Sequence, residues 1–224
     1  NNIITIVSNS VQSALGQIFN TDKKRYIELN EAFETYYLAL VFSLYAITSI
    51  FILPFMRLYT AGADINYIDW RLPVLFGIYQ LLSYGRISSN FIIGFAGEFK
   101  STQWRAWLKT AINLVVSFVC VFKFGIYGVL FGTIAAVLYR ANDIILFANH
   151  RVLKRSAWPT YRRWLTNAII FIIVVWGFGR IPMRLDSYFW LLVNAVWVSI
   201  CVIIAFFCVD SIVERKARKI AWEY

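Results

Sequence analysis

The strongest chemical demand in this sequence comes from Arg86, near the middle of the apolar stretch 72–95. At a rise of about 1.5 Å per residue, a helix over this stretch crosses a bilayer with Arg86 about 14 Å from its nearer end. A guanidinium at that depth costs about 2.5–3.5 kcal/mol unless it faces protein, water or an anionic ligand. The position of Arg86 therefore predicts one of two roles. Either the role is structural and helix ends or Glu98 satisfy the charge, or Arg86 lines a path for an anionic solute.

Arg140 and Asp143 form a second polar group inside an apolar stretch, and their spacing of three places both on one helix face. They fit a simple intrahelical ion pair that lowers the cost of insertion. They equally fit part of a functional interior face, because Tyr139 and Asn142 extend the polar patch. Three more polar side chains lie in apolar stretches and are expected to form interhelical hydrogen bonds worth about 0.6 kcal/mol each: Gln80, Asn90 and Asn113.

Residues for covalent or metal chemistry are scarce. The sequence has one histidine, His150, and its three cysteines all lie in apolar runs, which excludes a histidine-cluster metal site and favours packing roles for the thiols. It contains no phosphate-binding loop and no motif that pairs a nucleophile with a base. We therefore expect a protein that is not an enzyme and needs neither a cofactor nor a metal.

The composition defines the class of protein that positions these residues. The chain is 60% hydrophobic and 15% charged, with a mean hydropathy of +0.62. One soluble domain of 224 residues cannot bury so much apolar surface, so the composition indicates an integral membrane protein. The net charge of +10 arises mainly between the apolar runs. That placement favours a role in membrane orientation over nucleic-acid binding.

Hydropathy predicts an all-α, polytopic bundle with seven membrane spans, at residues 1–19, 36–55, 72–95, 104–122, 127–149, 164–179 and 188–209. We expect four regions along the chain: five spans with charged loops (1–149), a basic cytoplasmic linker (150–163), two further spans (164–209) and a basic amphipathic tail (210–224). We also expect a charged connector over 20–35, an end of the second span at Pro54 and a break of the basic linker at Pro159.

The basic residues predict the orientation of the bundle. Of the 22 Lys and Arg residues, 15 fall in segments on one side of the seven predicted spans and 5 on the other. Positive segments stay inside, so we expect a cytoplasmic C-terminus and an N-terminus on the outer face. An outer N-terminus that no signal peptide precedes leads us to expect further helices upstream of Asn1.

Four stretches resemble, in order, motifs of Wzx-type polysaccharide flippases, which belong to the multidrug/oligosaccharidyl-lipid/polysaccharide exporter superfamily. These stretches are VQSALG at 11–16, ILPFMRLYT at 52–60 with Asn66-Tyr67, Gly85-Arg86 with AGEFKST at 96–102, and NL at 113–114 continuing to VFKFGIYGV at 121–129 with Gly132-Thr133. The resemblance covers about residues 1–155. It departs from the family pattern at Glu98, where the family often has His.

The resemblance implies one lobe of a two-lobed, MATE-like flippase, with the N-terminal lobe missing from this chain. It implies transport of undecaprenyl-diphosphate-linked oligosaccharide across the cytoplasmic (inner) membrane by alternating access, for O-antigen, capsule or exopolysaccharide synthesis. Expected partners are this anionic lipid-linked substrate, membrane lipids, the missing lobe and a polysaccharide polymerase complex, but no nucleic acid. Arg86 carries over as the contact to the diphosphate. The other expected cavity residues are Arg140, Asp143, Asn90 and Asn113.

Three other classes of protein stay open at this point. A drug or cation exporter of the same superfamily would have an acidic or apolar cavity, in contrast to two arginines within spans. A membrane-embedded polysaccharide polymerase or ligase would need an outward catalytic loop, but the outward loops near 61–69, 123–126 and 181–187 are short and lack a suitable acid and base. A scaffold subunit would not need Arg86 at mid-membrane.

Overall fold

The computed structural model describes residues 2–61 and 68–223, and in these ranges the chain is helical with short connections. The helices are α1 (Asn2–Thr21), α2 (Lys23–Tyr59), α3 (Arg71–Tyr84), α4 (Ile87–Phe95), α5 (Phe99–Phe124), α6 (Ile126–Leu146) with a π-helical turn (Phe147–Val152), α7 (Trp158–Phe178), α8 (Tyr188–Val213) and α9 (Arg215–Glu223). The all-helical prediction is confirmed for these residues. The motif at Asn66-Tyr67 lies outside them.

Four of these elements are long and apolar enough to cross a membrane: Lys23–Tyr59, Phe99–Phe124, Ile126–Val152 and Tyr188–Val213. They coincide with four of the seven predicted spans. The other three predictions fall on α1, on α3 with α4, and on α7, which are helical but outside this set. The membrane class is thus supported by four helices. A large apolar outer surface accompanies it, for example at Leu114 and Phe122 of α5, which are exposed.

The predicted charged connector over 20–35 is wrong, because α2 is one helix of 37 residues that begins at Lys23. The carboxylate of Asp22 caps its start by accepting hydrogen bonds from the backbone N–H groups of Lys24 and Arg25. The helix also continues beyond Pro54 to Tyr59, so Pro54 does not end it. At about 1.5 Å per residue, α2 is about 55 Å long.

The predicted span 72–95 is two helices, since α3 ends at Tyr84 and α4 begins at Ile87. The break has a visible packing cause. The indole of Trp164 from α7 lies directly over Gly85, where a Cβ atom would collide with the ring. A side chain wedged against the backbone is a common origin of such breaks. Arg86 lies in the break, with a φ of −89° and a ψ of 1°.

The C-terminal third also differs from expectation. Pro159 lies in the first turn of α7, where its missing N–H group is tolerated, so it starts a helix and does not break the linker. The linker shortens to residues 153–157. The predicted amphipathic tail is divided, because α8 extends to Val213 and α9 follows after Glu214.

Two buried clusters hold the bundle together around α2. In the first cluster, Leu38, Val41 and Phe42 from the middle of α2 pack with Val202 and Phe206 of α8. Helix α7 also packs against α2. The beginning of α2 contributes Tyr26 to a second cluster with α1, α4 and the π-helical turn. The α5–α6 pair packs as a close hairpin, and α6 joins it to α3.

Gly125 makes the turn between α5 and α6 and is expected to resist substitution. Its φ of 55° and ψ of −131° lie in a region that side chains disfavour. We expect Gly125→Ala to lower the free energy of unfolding by about 1–3 kcal/mol, measured by thermal or denaturant unfolding in detergent. The matched control is Gly77→Ala in α3, which has open space around the new Cβ atom and should be neutral or stabilising. Equal losses in both variants would contradict this prediction.

Candidate functional site

Arg86 is half-buried at the break between α3 and α4. Its Nε and Nη1 atoms are buried and have no hydrogen-bond partner within the described residues. The carboxylate of Glu98, one predicted structural partner, instead accepts a hydrogen bond from the Ser101 hydroxyl. No ion pair to Arg86 forms among the residues that the structure describes. Two donors of this guanidinium therefore face inward without an acceptor.

The predicted pair of Arg140 and Asp143 is present, with Arg140 Nη1 2.8 Å from Asp143 Oδ2. A third residue joins it, since Arg105 of α5 places Nη1 2.5 Å from Asp143 Oδ1. The sequence alone assigned Arg105 only to the topology signal. One carboxylate thus bridges two guanidinium groups from neighbouring helices, and the three groups together keep one positive charge.

Lys109 lies one helical turn after Arg105 and adds a fourth cation. Helix α6, which carries Arg140, packs against α3 and α4 on either side of Arg86, and the like charges of Arg86, Arg140 and Lys109 oppose one another there. We call Arg86, Arg105, Lys109, Arg140 and Asp143 the cationic cluster. Four cations and one carboxylate leave a net charge of +3 in partly buried surroundings, where Coulomb repulsion is weakly screened. An anion placed among these side chains would offset that repulsion.

The two asparagines predicted to line the cavity, Asn90 and Asn113, lie in different parts of the structure. Asn113 lies between α5 and α6, where its Oδ1 atom accepts hydrogen bonds from Ser117 at 3.1 Å and Thr133 at 3.4 Å. This confirms its interhelical hydrogen bond. Asn90 follows Arg86 by one turn of α4 and is half-buried. The structure thus groups Arg86, Arg140 and Asp143, keeps Asn90 near Arg86, and assigns Asn113 to the α5–α6 contact.

A groove of about 530 Å³ lies between α2 and α3, and we call it the α2–α3 groove. Its walls are mainly apolar, with Leu53 and Met56 on α2 and Phe76 on α3. Gln80 and Asp69 also line it, whereas the cationic cluster does not. The volume is within the usual range for small-molecule sites, about 300–1,000 Å³. The groove and the cluster are therefore separate features.

Asp69 belongs to a polar group at the start of α3. Its carboxylate accepts hydrogen bonds from the Tyr127 hydroxyl and from the backbone N–H of Arg71. These bonds, the first in particular, hold the pKa of Asp69 below its ordinary value. Their contribution to stability is present above the ordinary carboxyl pKa and is lost as the pH falls through the lowered one.

A buried ionic network was missed by the sequence analysis. Arg163 Nη1 lies 2.5 Å from Glu34 Oε2, and each side chain is only 2% exposed. The Thr160 hydroxyl donates to the same carboxylate at 3.0 Å. These residues join α2 to α7. The sequence pattern predicts Glu34 in a charged connector and Arg163 in a basic linker, and it does not indicate that the two side chains pair.

The ionic network extends on both sides of Arg163. Arg155 Nη1 is 2.6 Å from Glu31 Oε1, and Arg162 Nη2 is 2.6 Å from Glu214 Oε1. At its edge, Asn167 donates from Nδ2 to both oxygens of the buried Asp210 carboxylate. One sequence signal was available, namely Glu31 and Glu34 three residues apart on one face of an apolar helix. The network therefore fastens α2, α7, α8 and the start of α9 at one end of the bundle.

Protein-family models, curated proteins and solved structures were compared with the chain, and none matched.

Proposed function

We propose that this chain is part of a transporter that moves an anionic, lipid-linked oligosaccharide across the cytoplasmic membrane by alternating access, without covalent chemistry. The observation that carries the proposal is Arg86, whose buried Nε and Nη1 atoms have no acceptor among the described residues, within a cationic cluster of net charge +3. Two inward donors in a cluster of cations form a receptor for an anion. A chain with four membrane-length helices places such a receptor beside or within a bilayer.

The chemistry of a diphosphate lipid fits this cluster. A diphosphate must leave water to cross, and guanidinium groups replace that hydration with paired, charge-assisted hydrogen bonds. Arg86 is the proposed principal contact because its Nε and Nη1 donors have no acceptor among the described residues. Arg140 and Arg105 already bind Asp143, so they contribute mainly through their charge. Asp143 holds both arginines in place, and Asn90 is a neutral donor one turn from Arg86.

The same proposal includes the arrangement in the membrane. The four membrane-length helices are supplemented by α1, by α3 with α4, and by α7, giving seven crossings of one flippase lobe. The distribution of basic residues supports a cytoplasmic C-terminus. A helix broken near a charged residue supports a site at that depth, because broken helices commonly form substrate sites in transporters. A second lobe, and a polysaccharide polymerase that receives the product, complete the proposed assembly.

The test is a complementation experiment with the complete natural protein. We expect Arg86→Ala to abolish surface polysaccharide while the protein stays in the membrane at normal amount, because the unused donors are lost. Arg86→Lys should restore part of the function, since it keeps the charge but not the planar fork. The control is Arg57→Ala, which removes an exposed arginine of α2. Normal polysaccharide in Arg86→Ala cells would remove Arg86 from the mechanism.

A vesicle assay separates transport from the other classes. Purified protein in sealed vesicles should change the leaflet of a lipid-linked oligosaccharide without changing its chain length. A lengthened or transferred sugar chain would identify a polymerase or ligase. A protein that gives neither result, yet is needed in cells for surface polysaccharide, would be a scaffold.

One observation favours a second candidate, a MATE-like exporter of drugs or cations. The α2–α3 groove is apolar and carries one carboxylate, Asp69, as a site for an amphiphilic cation would. Efflux of a fluorescent lipophilic cation that depends on Asp69 but not on Arg86 would support this candidate against the flippase.

A further inference from the structure

Helix α9 (Arg215–Glu223) begins two residues after the end of α8. Helix α8 is one of the four elements that are long and apolar enough to span a membrane. Glu214 alone joins the two helices, so α9 follows directly on a helix of membrane-spanning length. If α8 crosses a membrane, the chain itself holds α9 close to the membrane surface.

One side of α9 is fixed to the bundle. Ala217 is buried, and α9 packs along α2. The junction residue Glu214 is also buried, and it accepts hydrogen bonds from Arg162 Nε at 3.1 Å and Nη2 at 2.6 Å. These contacts hold one side of α9 against the bundle, so its opposite side faces away from α2.

That opposite side carries four exposed cations, Arg215, Lys216, Arg218 and Lys219, which we call the cationic face of α9. No acidic side chain that the structure describes lies within ion-pairing distance of any of them. Residues three and four apart on a helix are neighbours, so these like charges repel one another. Among the side chains that the structure describes, none offers this face a counterion to offset that repulsion.

We propose that the cationic face of α9 binds the headgroups of anionic phospholipids in the leaflet at which α8 ends. Basic residues on a juxtamembrane or amphipathic helix attract anionic lipid, with about 1 kcal/mol per residue near the surface. A lipid fits better than a nucleic acid because α9 is held beside a membrane-length helix. This proposal does not depend on the transport function, since it concerns a surface outside the cationic cluster.

The test compares lipid binding by the full chain and by the triple variant Lys216→Gln, Arg218→Gln, Lys219→Gln. Native mass spectrometry of protein in a neutral detergent counts bound dioleoyl phosphatidylglycerol, with dioleoyl phosphatidylcholine as the neutral reference. We expect the tightest phosphatidylglycerol sites to weaken on the order of a hundredfold in the variant, with phosphatidylcholine unchanged. Binding to the natural chain should also weaken as salt is raised.

The matched control removes the same number of exposed charges elsewhere, with Arg57→Gln, Lys123→Gln and Arg184→Gln. It should keep its phosphatidylglycerol affinity. An equal loss in the control would assign the effect to net charge and overturn the proposal. Displacement of phosphatidylglycerol by inorganic phosphate or by a short DNA strand would also overturn it, because either result shows a general anion surface. If the triple variant fails to fold, each single variant should weaken binding about fivefold.

Discussion

Replacing Arg163 by methionine is expected to lower the free energy of unfolding by about 3–5 kcal/mol, because it leaves Glu34 buried without its counterion. The two side chains are each 2% exposed and their charged atoms are 2.5 Å apart. Among the described residues, the Thr160 hydroxyl alone would remain as a hydrogen-bond donor to the carboxylate. Glu34→Leu should cost less, since the Arg163 guanidinium loses its nearest carboxylate but keeps longer contacts, at 3.9 Å to Glu31 and 3.7 Å to Glu214.

The measurement is unfolding of purified protein in detergent, followed by helix content. A double variant, Glu34→Leu with Arg163→Met, should recover much of the loss, because it removes both charges and keeps apolar volume. The control is Arg57→Met, which removes an exposed arginine of α2 and should change the free energy of unfolding by less than about 0.5 kcal/mol. A double variant as unstable as the sum of the two single variants would show no coupling between the two charges and would contradict this prediction.

Replacing Gly132 by leucine is expected to push α5 and α6 apart. A Cβ atom at Gly132 would lie 2.6 Å from the backbone N of Ser117 and 2.8 Å from the backbone O of Asn113. Backbone atoms cannot rotate away as a side chain does, so the helices must separate. Overpacking of this kind costs about 1–3 kcal/mol, and more when the backbone has to move.

Gly132→Leu should also damage the cationic cluster, since Arg105 and Lys109 reach it from α5 while Arg140 and Asp143 belong to α6. The measurements are unfolding in detergent and surface polysaccharide in cells. The matched control is Gly177→Leu in α7, where the new Cβ atom has no neighbour within 4 Å. Normal stability of Gly132→Leu, together with normal polysaccharide, would contradict the close α5–α6 contact.

Features that depend on local sequence could be predicted. The apolar runs that became α5, α6 and α8 were found from hydropathy, because length and composition determine whether a helix can span a bilayer. The Arg140–Asp143 pair was found from its spacing of three. The turn at Gly125 was likewise expected from a short polar interruption between two apolar runs.

Features that depend on contacts between residues far apart in the sequence could not be predicted from it. The break at Gly85 arises from Trp164, which lies on another helix, and nothing near Gly85 in the sequence indicates that neighbour. Glu34 and Arg163 are 129 residues apart in the sequence, so nothing near either residue indicates that the other is its partner. Arg105 was counted as a topology signal for the same reason, because its partner Asp143 is on the next helix. The position of a charged residue in the sequence does not show which residue it contacts in the fold.

Helix α2 has a mechanical consequence. Its 37 residues extend about 55 Å, whereas a bilayer core is about 30 Å thick, so α2 is longer than a perpendicular crossing requires. No proline interrupts it before Pro54. Glu31 and Glu34 lie in its first half, and its later part forms one wall of the groove. A continuous helix transmits a tilt along its whole length, so a movement of the groove wall would also displace the salt bridges that fasten α2 to α7.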